Sequence, residues 1–554
     1  MTDYRQAFVL LDQYIARELG ACNAPGIALG LTDSEKTLYV GTYGHADLAA
    51  RLPVQPQHLF EIGSISKAFS SIVALQLQAR GLLDLHAPVT DYLPWFRVQN
   101  PYEPITLHHL MSHTAGLIMG TDECTAAAGE VWDLRHTQVS APPGTFFHYS
   151  NAGYKLVGLV LQAVLGQSQA EILRQNVLAP LGMDSSEPAI THTARQRLAV
   201  GYTPFYDDRP LLPGGHLAPA TWLESDTADG SICSTAGDMC KYLRFLLKRG
   251  QGLLSESDFE LLVQRAIPTS DDEHGNFYGY GIETLDLDGA YCIGHDGGMV
   301  GYVSGLIADM DAGLGVVVLT NGPAELERIV FYALEVLRAA YKGEDLPPPP
   351  PAIDPYQVEE AADYCGVYQC GQKSFSIQAQ GERLFLAWEG PVAGKNPALH
   401  GDPTAGKNPA LLPVQQHKPG RLYVAHPDFE RFLLSFGRQE GKVVEAFHGP
   451  DWYTREGYAG PTTFDFPPEW ACYPGHYRSH NPWNPNFRVI LRKGALILID
   501  PAGDEEPMHP VSQGEFRVGE DTRSPERIRF EAIVDGKAIK ANLSGGEYCR
   551  TFTP

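Results

Sequence analysis

Phe60-Glu-Ile-Gly-Ser64-Ile-Ser-Lys67-Ala-Phe-Ser-Ser-Ile-Val-Ala-Leu75 reads as a turn opening an apolar helix over about 64–80. Ser64 starts that helix, and Lys67, three residues on, lies on the same face. There an amine can reach a serine Oγ, and the positive end of the helix favours negative charge developing nearby. It is the one Ser-x-x-Lys in the chain. Alone, the pattern also fits a surface helix whose serine and lysine share no task.

Two further stretches narrow the reading. In Pro143-Gly-Thr-Phe-Phe-His-Tyr149-Ser150-Asn151-Ala-Gly-Tyr154, Tyr149 and Asn151 flank one residue where a loop enters a helix. That is a way to aim a phenol and an amide into a cleft, or an ordinary helix start capped by Ser150 or Asn151. Tyr291-Cys-Ile-Gly-His295-Asp296-Gly297-Gly298-Met-Val-Gly-Tyr-Val-Ser304 is a strand with glycines where a backbone passes close to something.

Around these motifs, residues 1–345 mix helix and strand periods. A helix is predicted at about 3–20, strands at 26–32 and 37–43, and helices at about 64–80, 154–180 and 235–249. Strand-like runs return near 279–284, 290–294, 300–308 and 314–320, and a helix at about 323–342 closes the region. Strands at both ends with helices between predict one sheet assembled from distant segments and flanked by helices, an α+β arrangement. Residues 346–355, with five consecutive prolines, predict an extended spacer.

After the prolines come short alternating strands. Tyr364-Cys-Gly-Val-Tyr368 is echoed by Tyr473-Pro-Gly-His-Tyr477, 109 residues later, about the size of a small antiparallel barrel. Two barrels are expected, at 356–465 and 466–554. An identical repeat, Ala-Gly-Lys-Asn-Pro-Ala-Leu at 393–399 and 405–411, reads as a surface loop.

The 554 residues carry 66 acidic and 42 basic side chains, a net charge of −24, with no basic cluster, which argues against a nucleic-acid partner. Residues 1–345 hold 21 basic against 40 acidic groups, a balance of −19, so a strongly anionic partner is not expected there. Nine scattered cysteines fit free thiols, and the pairs Cys233/Cys240 and Cys365/Cys370 lack partners at zinc-ligand spacing, so no metal is expected. The N-terminal stretch lacks the pattern of a signal peptide, and no apolar run approaches the roughly 18 residues of a membrane span, so a soluble, cytoplasmic protein without membrane partners is expected.

The three motifs, in this order and spacing, resemble the serine β-lactamase/penicillin-binding-protein superfamily over about residues 5–340. Leu110-Met-Ser-His-Thr-Ala-Gly-Leu117, Leu178-Ala-Pro-Leu-Gly-Met-Asp184 and Gly230-Ser-Ile-Cys-Ser-Thr-Ala-Gly-Asp-Met239 resemble its peptidase and esterase branch. The resemblance implies a β-lactamase-like domain followed by two small lipocalin-like barrels. It implies Ser64 as the acylated nucleophile, Lys67 and Tyr149 as its proton-transfer network, and Asn151 as holder of Lys67 and a substrate carbonyl. The N–H groups of Ser64 and Gly298 would form an oxyanion hole, each donor worth about 3 kcal/mol in the transition state. No cofactor is implied.

Where lactamases usually carry Lys-Thr-Gly or Lys-Ser-Gly, this chain has His295-Asp296-Gly297. His295 then joins the catalytic group as a largely neutral imidazole, and Asp296 and Gly297 would lie beside substrate. The acid would repel carboxylate-ended substrates and suit an ammonium, unless it points away from the site. A His-x-Gly motif followed by two barrels resembles the D-aminopeptidases, in which a barrel loop restricts the cleft. The candidate loop is Ser479-His-Asn-Pro-Trp483-Asn-Pro-Asn-Phe487, with Trp483 as its substrate contact. The expected function is a serine hydrolase acting on small peptides or amino-acid amides, with D-residues among them. A carboxylesterase is the alternative, followed by a D-alanyl carboxypeptidase or β-lactamase, and by a non-enzymatic binding protein. The general base, Lys67 or Tyr149, and any assembly into homo-oligomers stay open.

Overall fold

Alternation along the strands Gly26–Asp33 and Leu314–Thr320 builds two apolar layers from one sheet. Ile27, Leu29, Leu31, Val316 and Val318 face the helices Arg5–Glu18 and Glu327–Lys342. Ala28, Val317, Leu319, Leu306 and Ile293 face the other way, onto Ser66–Ala79, Asn151–Leu165 and Ala236–Leu247. In this computed structural model, which describes residues 4–123, 126–270, 275–388 and 411–551, the sheet has nine antiparallel strands. Their order is 52–53, 37–47, 26–33, 314–320, 302–309, 290–299, 283–287, 277–278 and 267–268. Ile27 stands opposite Thr320, so the two ends of the region close on each other as its α+β pattern predicts.

Several boundaries differ from the sequence reading. The single helix expected over 154–180 stops at Gly166, turns by 81° and restarts at Gln169. Ser168 and Glu171 form a capping box there, giving the chain a new helix start where propagation had failed. The strand expected over 279–284 divides into Phe277–Tyr278 and Glu283–Leu287, because the Gly279 N–H closes a turn on the Ile282 carbonyl at 2.8 Å. The proline run lies on the helix pair of the sheet's outer face. Arg17, Tyr332 and Arg328 donate to the carbonyls of Pro350, Pro347 and Pro351 at 2.7, 3.0 and 2.8 Å, using acceptors that an extended proline segment leaves open.

Two closed eight-stranded antiparallel barrels follow, with strands between Gly366 and Thr454 and between Gly475 and Arg550. The Tyr-x-Gly-x-Tyr echo marks the first strand of each. Tyr368 donates to the Tyr364 carbonyl at 2.8 Å, and Tyr477 to that of Tyr473 at 2.6 Å. The Ala-Gly-Lys-Asn-Pro-Ala-Leu repeat, apart from its last residue Leu411, lies outside the described residues.

Candidate active site

Ser64 sits in a 3-10 turn, Gly63–Ile65, that leads into the helix Ser66–Ala79. The turn lies hard against the strand Ala290–Met299. A Cβ on Gly63, whose φ is +54°, would come within 2.7 Å of the Gly298 nitrogen and oxygen, and one on Gly297 within 2.0 Å of the Ile62 carbonyl oxygen. Glycine at both places lets the two backbones touch, which puts Ser64 and Gly298 on the wall of one cleft.

Lys67 is fully buried and donates to Ser64 Oγ at 2.8 Å, Asn151 Oδ1 at 2.8 Å and the Asp229 carbonyl at 2.9 Å. Asn151 opens its helix because Ser150 is the cap. The Ser150 hydroxyl accepts from the Gly153 N–H at 2.9 Å and donates to the Ile118 carbonyl at 2.6 Å. The Tyr149 ring lies 4.8 Å from Lys67 Nζ and packs, tilted by 37°, against the buried His113 at 4.1 Å. His113 Nδ1 accepts from the Ser150 N–H at 3.0 Å, and burial, then Lys67, drive its pKa well down. Ser64, Asn151 and the Tyr149 ring thus gather around Lys67.

The third motif is placed differently. His295 is buried and does not line the cleft. Its Nδ1 lies 2.5 Å from the Asp296 carbonyl, which can only accept, so the proton sits on Nδ1 and Nε2 accepts from the Tyr278 hydroxyl at 2.8 Å. Burial and the Lys67 charge lower its pKa to about 4, so it is neutral at neutral pH. Both ring nitrogens are thus engaged within the protein, and the His295 ring lies 6.3 Å from that of Tyr149. Asp296, one residue on, points to the opposite face of the sheet. There its carboxylate lies 3.1 Å from where a Gly305 Cβ would be, and burial and Glu327 raise its pKa. The substrate contact expected of Asp296 is therefore corrected by strand alternation. Gly297 seats the Ser64 turn against this strand.

The cleft has an acidic wall that the motifs do not show. Asp122, Glu224 and Asp229 line it with Ser64, Asn151, Lys155 and Gly298, and Trp483 completes it from the second barrel. The Trp483 loop is tied internally: Asn481 Oδ1 accepts from the Trp483 N–H at 3.0 Å and Ser479 N–H donates to the Pro485 carbonyl at 2.9 Å. Asn481 also donates to the Thr121 carbonyl, beside Asp122. On the far side of Trp483 a second recess shares Leu223 and Met299 with the first and contains Glu61, whose pKa burial raises to about 8. Among the described residues, no group of three His, Cys, Asp or Glu is placed to hold a metal ion.

Comparison with known proteins agrees with this geometry. The family profile described as Beta-lactamase matches residues 11–339. The chain belongs to the beta-lactamase family. Protein flp of Staphylococcus aureus is 25% identical over 326 residues, covering 56% of this chain and 62% of that protein. The chain thus spans less than two thirds of flp. Penicillin-binding protein 4* of Bacillus subtilis is 24% identical over 381 residues, covering 64% and 82%. Among solved structures, the octameric penicillin-binding protein homologue from Pyrococcus abyssi has a TM-score of 0.56 at 24% identity, over 80% of this chain and 99% of that one. A D-stereospecific amidohydrolase from Streptomyces sp. has a TM-score of 0.50 at 22% identity, over 62% of this chain and 100% of that one. At these identities the two structures speak for the fold alone. The family is one of serine hydrolases that work through an acyl-enzyme.

Proposed function

We propose that this protein hydrolyses small peptides or amino-acid amides bearing a free amino group, D-residues among them, through an acyl-enzyme on Ser64. The observation that carries the reading is the cleft itself: carboxylates of Asp122, Glu224 and Asp229 on its wall and Trp483 closing it. Three carboxylates against the one Lys155 on this wall leave net negative charge, which favours a cationic substrate and disfavours a carboxylate-ended one. A tryptophan across the opening limits length.

In the proposed reaction Ser64 Oγ attacks the amide carbonyl while its proton passes into the Lys67–Tyr149 pair. The oxyanion develops at the Ser64 and Gly298 N–H groups. The C–N bond then breaks, the departing amine takes the proton, and the acyl group stays on Ser64 as an ester. Water attacks that ester, gives its proton to the same pair and releases the acid, restoring the serine hydroxyl. Asn151 holds Lys67 in place at 2.8 Å throughout.

Labelling by a fluorophosphonate probe, followed by hydrolysis of D- and L-alanine anilides against their N-acetyl forms and short acyl esters, tests the reading. Labelling in wild type and not in Ser64→Ala, with preference for the free-amino anilides, is expected. Preference for blocked or ester substrates would overturn it.

A further inference from the structure

The helix Asn151–Leu165 carries a buried lysine, Lys155, one turn after Asn151. Its ammonium donates to Asp122 Oδ1 and to Glu130 Oε2. Glu130 also accepts from the Thr121 N–H at 2.8 Å through its other oxygen. Asp229 shares the same lysine only at arm's length, with Oδ2 4.0 Å from Lys155 Nζ. Three carboxylates therefore surround one cation, and two of them take its hydrogen bonds.

The third is left over. Asp229 is 8% exposed, its Oδ1 has no hydrogen-bond partner, and it forms part of the wall of the Ser64 cleft. A buried carboxylate oxygen without a donor is costly and calls for one. Its backbone is fixed, because the Asp229 carbonyl accepts from Lys67 at 2.9 Å and Lys67 donates to Ser64 Oγ at 2.8 Å. Next along the wall, Glu224 is bonded by the Trp222 indole at 3.4 Å and so has a donor of its own. The Asp229 main chain thus sits two hydrogen bonds from Ser64. An α-ammonium group, one carbon away from the carbonyl under attack, stays beside Ser64, whereas a cation at the end of a long side chain lies several bonds farther off.

We propose that the Asp229 carboxylate, on the cleft wall and incompletely hydrogen-bonded, is the subsite for the substrate's α-ammonium group. This rests on the aminopeptidase-like reading above and names the residue that enforces it. The test compares wild type, Asp229→Asn and Asp229→Glu on five anilides: free-amino alanine in both configurations, N-acetyl-alanine, propionyl, and N-acetyl-lysine with its side-chain ammonium. The fluorophosphonate labelling rate and far-ultraviolet circular dichroism check that each variant is folded.

Wild type is expected to favour a free-amino alanine anilide over the propionyl one. Asp229→Asn should cut that ratio at least tenfold, mainly through KM, and Asp229→Glu should keep part of it. If wild type shows the preference and Asp229→Asn retains it, the subsite is wrong and the aminopeptidase reading stands. If wild type shows no preference, that reading fails and takes the subsite with it. An equal loss on all substrates, with acyl-enzyme accumulating, would make Asp229 a base for the attacking water and overturn the proposal. A preference for N-acetyl-lysine that Asp229→Asn removes would overturn the α-assignment.

Discussion

The two barrels share a shell and differ in what they touch. In each, a tyrosine of the first strand bonds the main chain four residues back, and an arginine at the end of the barrel reaches that tyrosine. Arg455 donates to Tyr368 Oη at 3.4 Å and Arg550 to Tyr477 Oη at 3.2 Å, with the guanidinium groups 5.7 and 5.4 Å from the rings. The first hairpin is where they part. In the first barrel Gly366–Cys370 joins Lys373–Gln380 through residues 371–372; in the second Gly475–Arg478 joins Asn486–Arg492 through residues 479–485.

The longer loop delivers Trp483 to the cleft. The second barrel also sends Glu526 to the catalytic region, where it accepts from the Met119 N–H at 2.7 Å and pairs with His148 at 2.9 Å, next to Tyr149. The first barrel meets that region through Glu430 and Arg209, and meets its neighbour through Lys418–Asp504 and Glu445–Lys493. A barrel closed by its own core tolerates changes in loop length, so the same shell serves as a brace in one copy and as part of a site in the other.

Replacing residues 479–485 by an Asn-Gly turn makes the second barrel resemble the first, and should have the largest effect. Loss of a wall that positions substrate is expected to lower kcat/KM on alanine anilides by about a hundredfold, with the melting temperature little changed. Unchanged hydrolysis would show that the difference between the barrels has no bearing on the site. Next, Arg455→Met and Arg550→Met should each destabilise their own barrel by about 1–3 kcal/mol in urea unfolding, from lost hydrogen bonds to buried acceptors and a lost cation–π contact. Only Arg550→Met should also reduce hydrolysis; equal effects on activity would erase the distinction.

The smallest effect is on pH dependence. Burial pushes the Glu526 carboxyl up, but His148, Ser544 and the Met119 N–H together hold it below the ordinary glutamate value. A depressed carboxyl contributes stability that is present above the unfolded value, about 4.3, and lost as pH falls through the lower folded value. Urea unfolding between pH 3 and 7 should show this acid loss in wild type and its attenuation in Glu526→Gln. An identical slope in the two would remove Glu526 as the second barrel's acid-sensitive tie.

Much of the site was legible because its chemistry is local. Ser64 and Lys67 are set by one helical turn, and Tyr149 and Asn151 by one capped helix start, so short-range geometry suffices. The helix break at 166–168 was missed: a glycine followed by Ser168 and Glu171 in capping spacing marks it, but the apolar period running across it reads as one helix. Asp296 was not legible. A strand pattern says that neighbours alternate, but which face meets the site depends on the whole sheet, and a shift of one residue inverts every side chain.

The chain's own order of residues determined the pairing of Ser64 with Lys67, the change from mixed to all-β structure after the prolines, and the paired Tyr-x-Gly-x-Tyr starts of the barrels. Only tertiary structure decided that His295 bonds Tyr278, that Asp122 from one loop and Glu224 and Asp229 from another form one acidic wall, and that Trp483 crosses from a barrel to close it. Those residues lie tens to hundreds of positions from Ser64, and no local period records which loops a folded sheet and a docked barrel bring together.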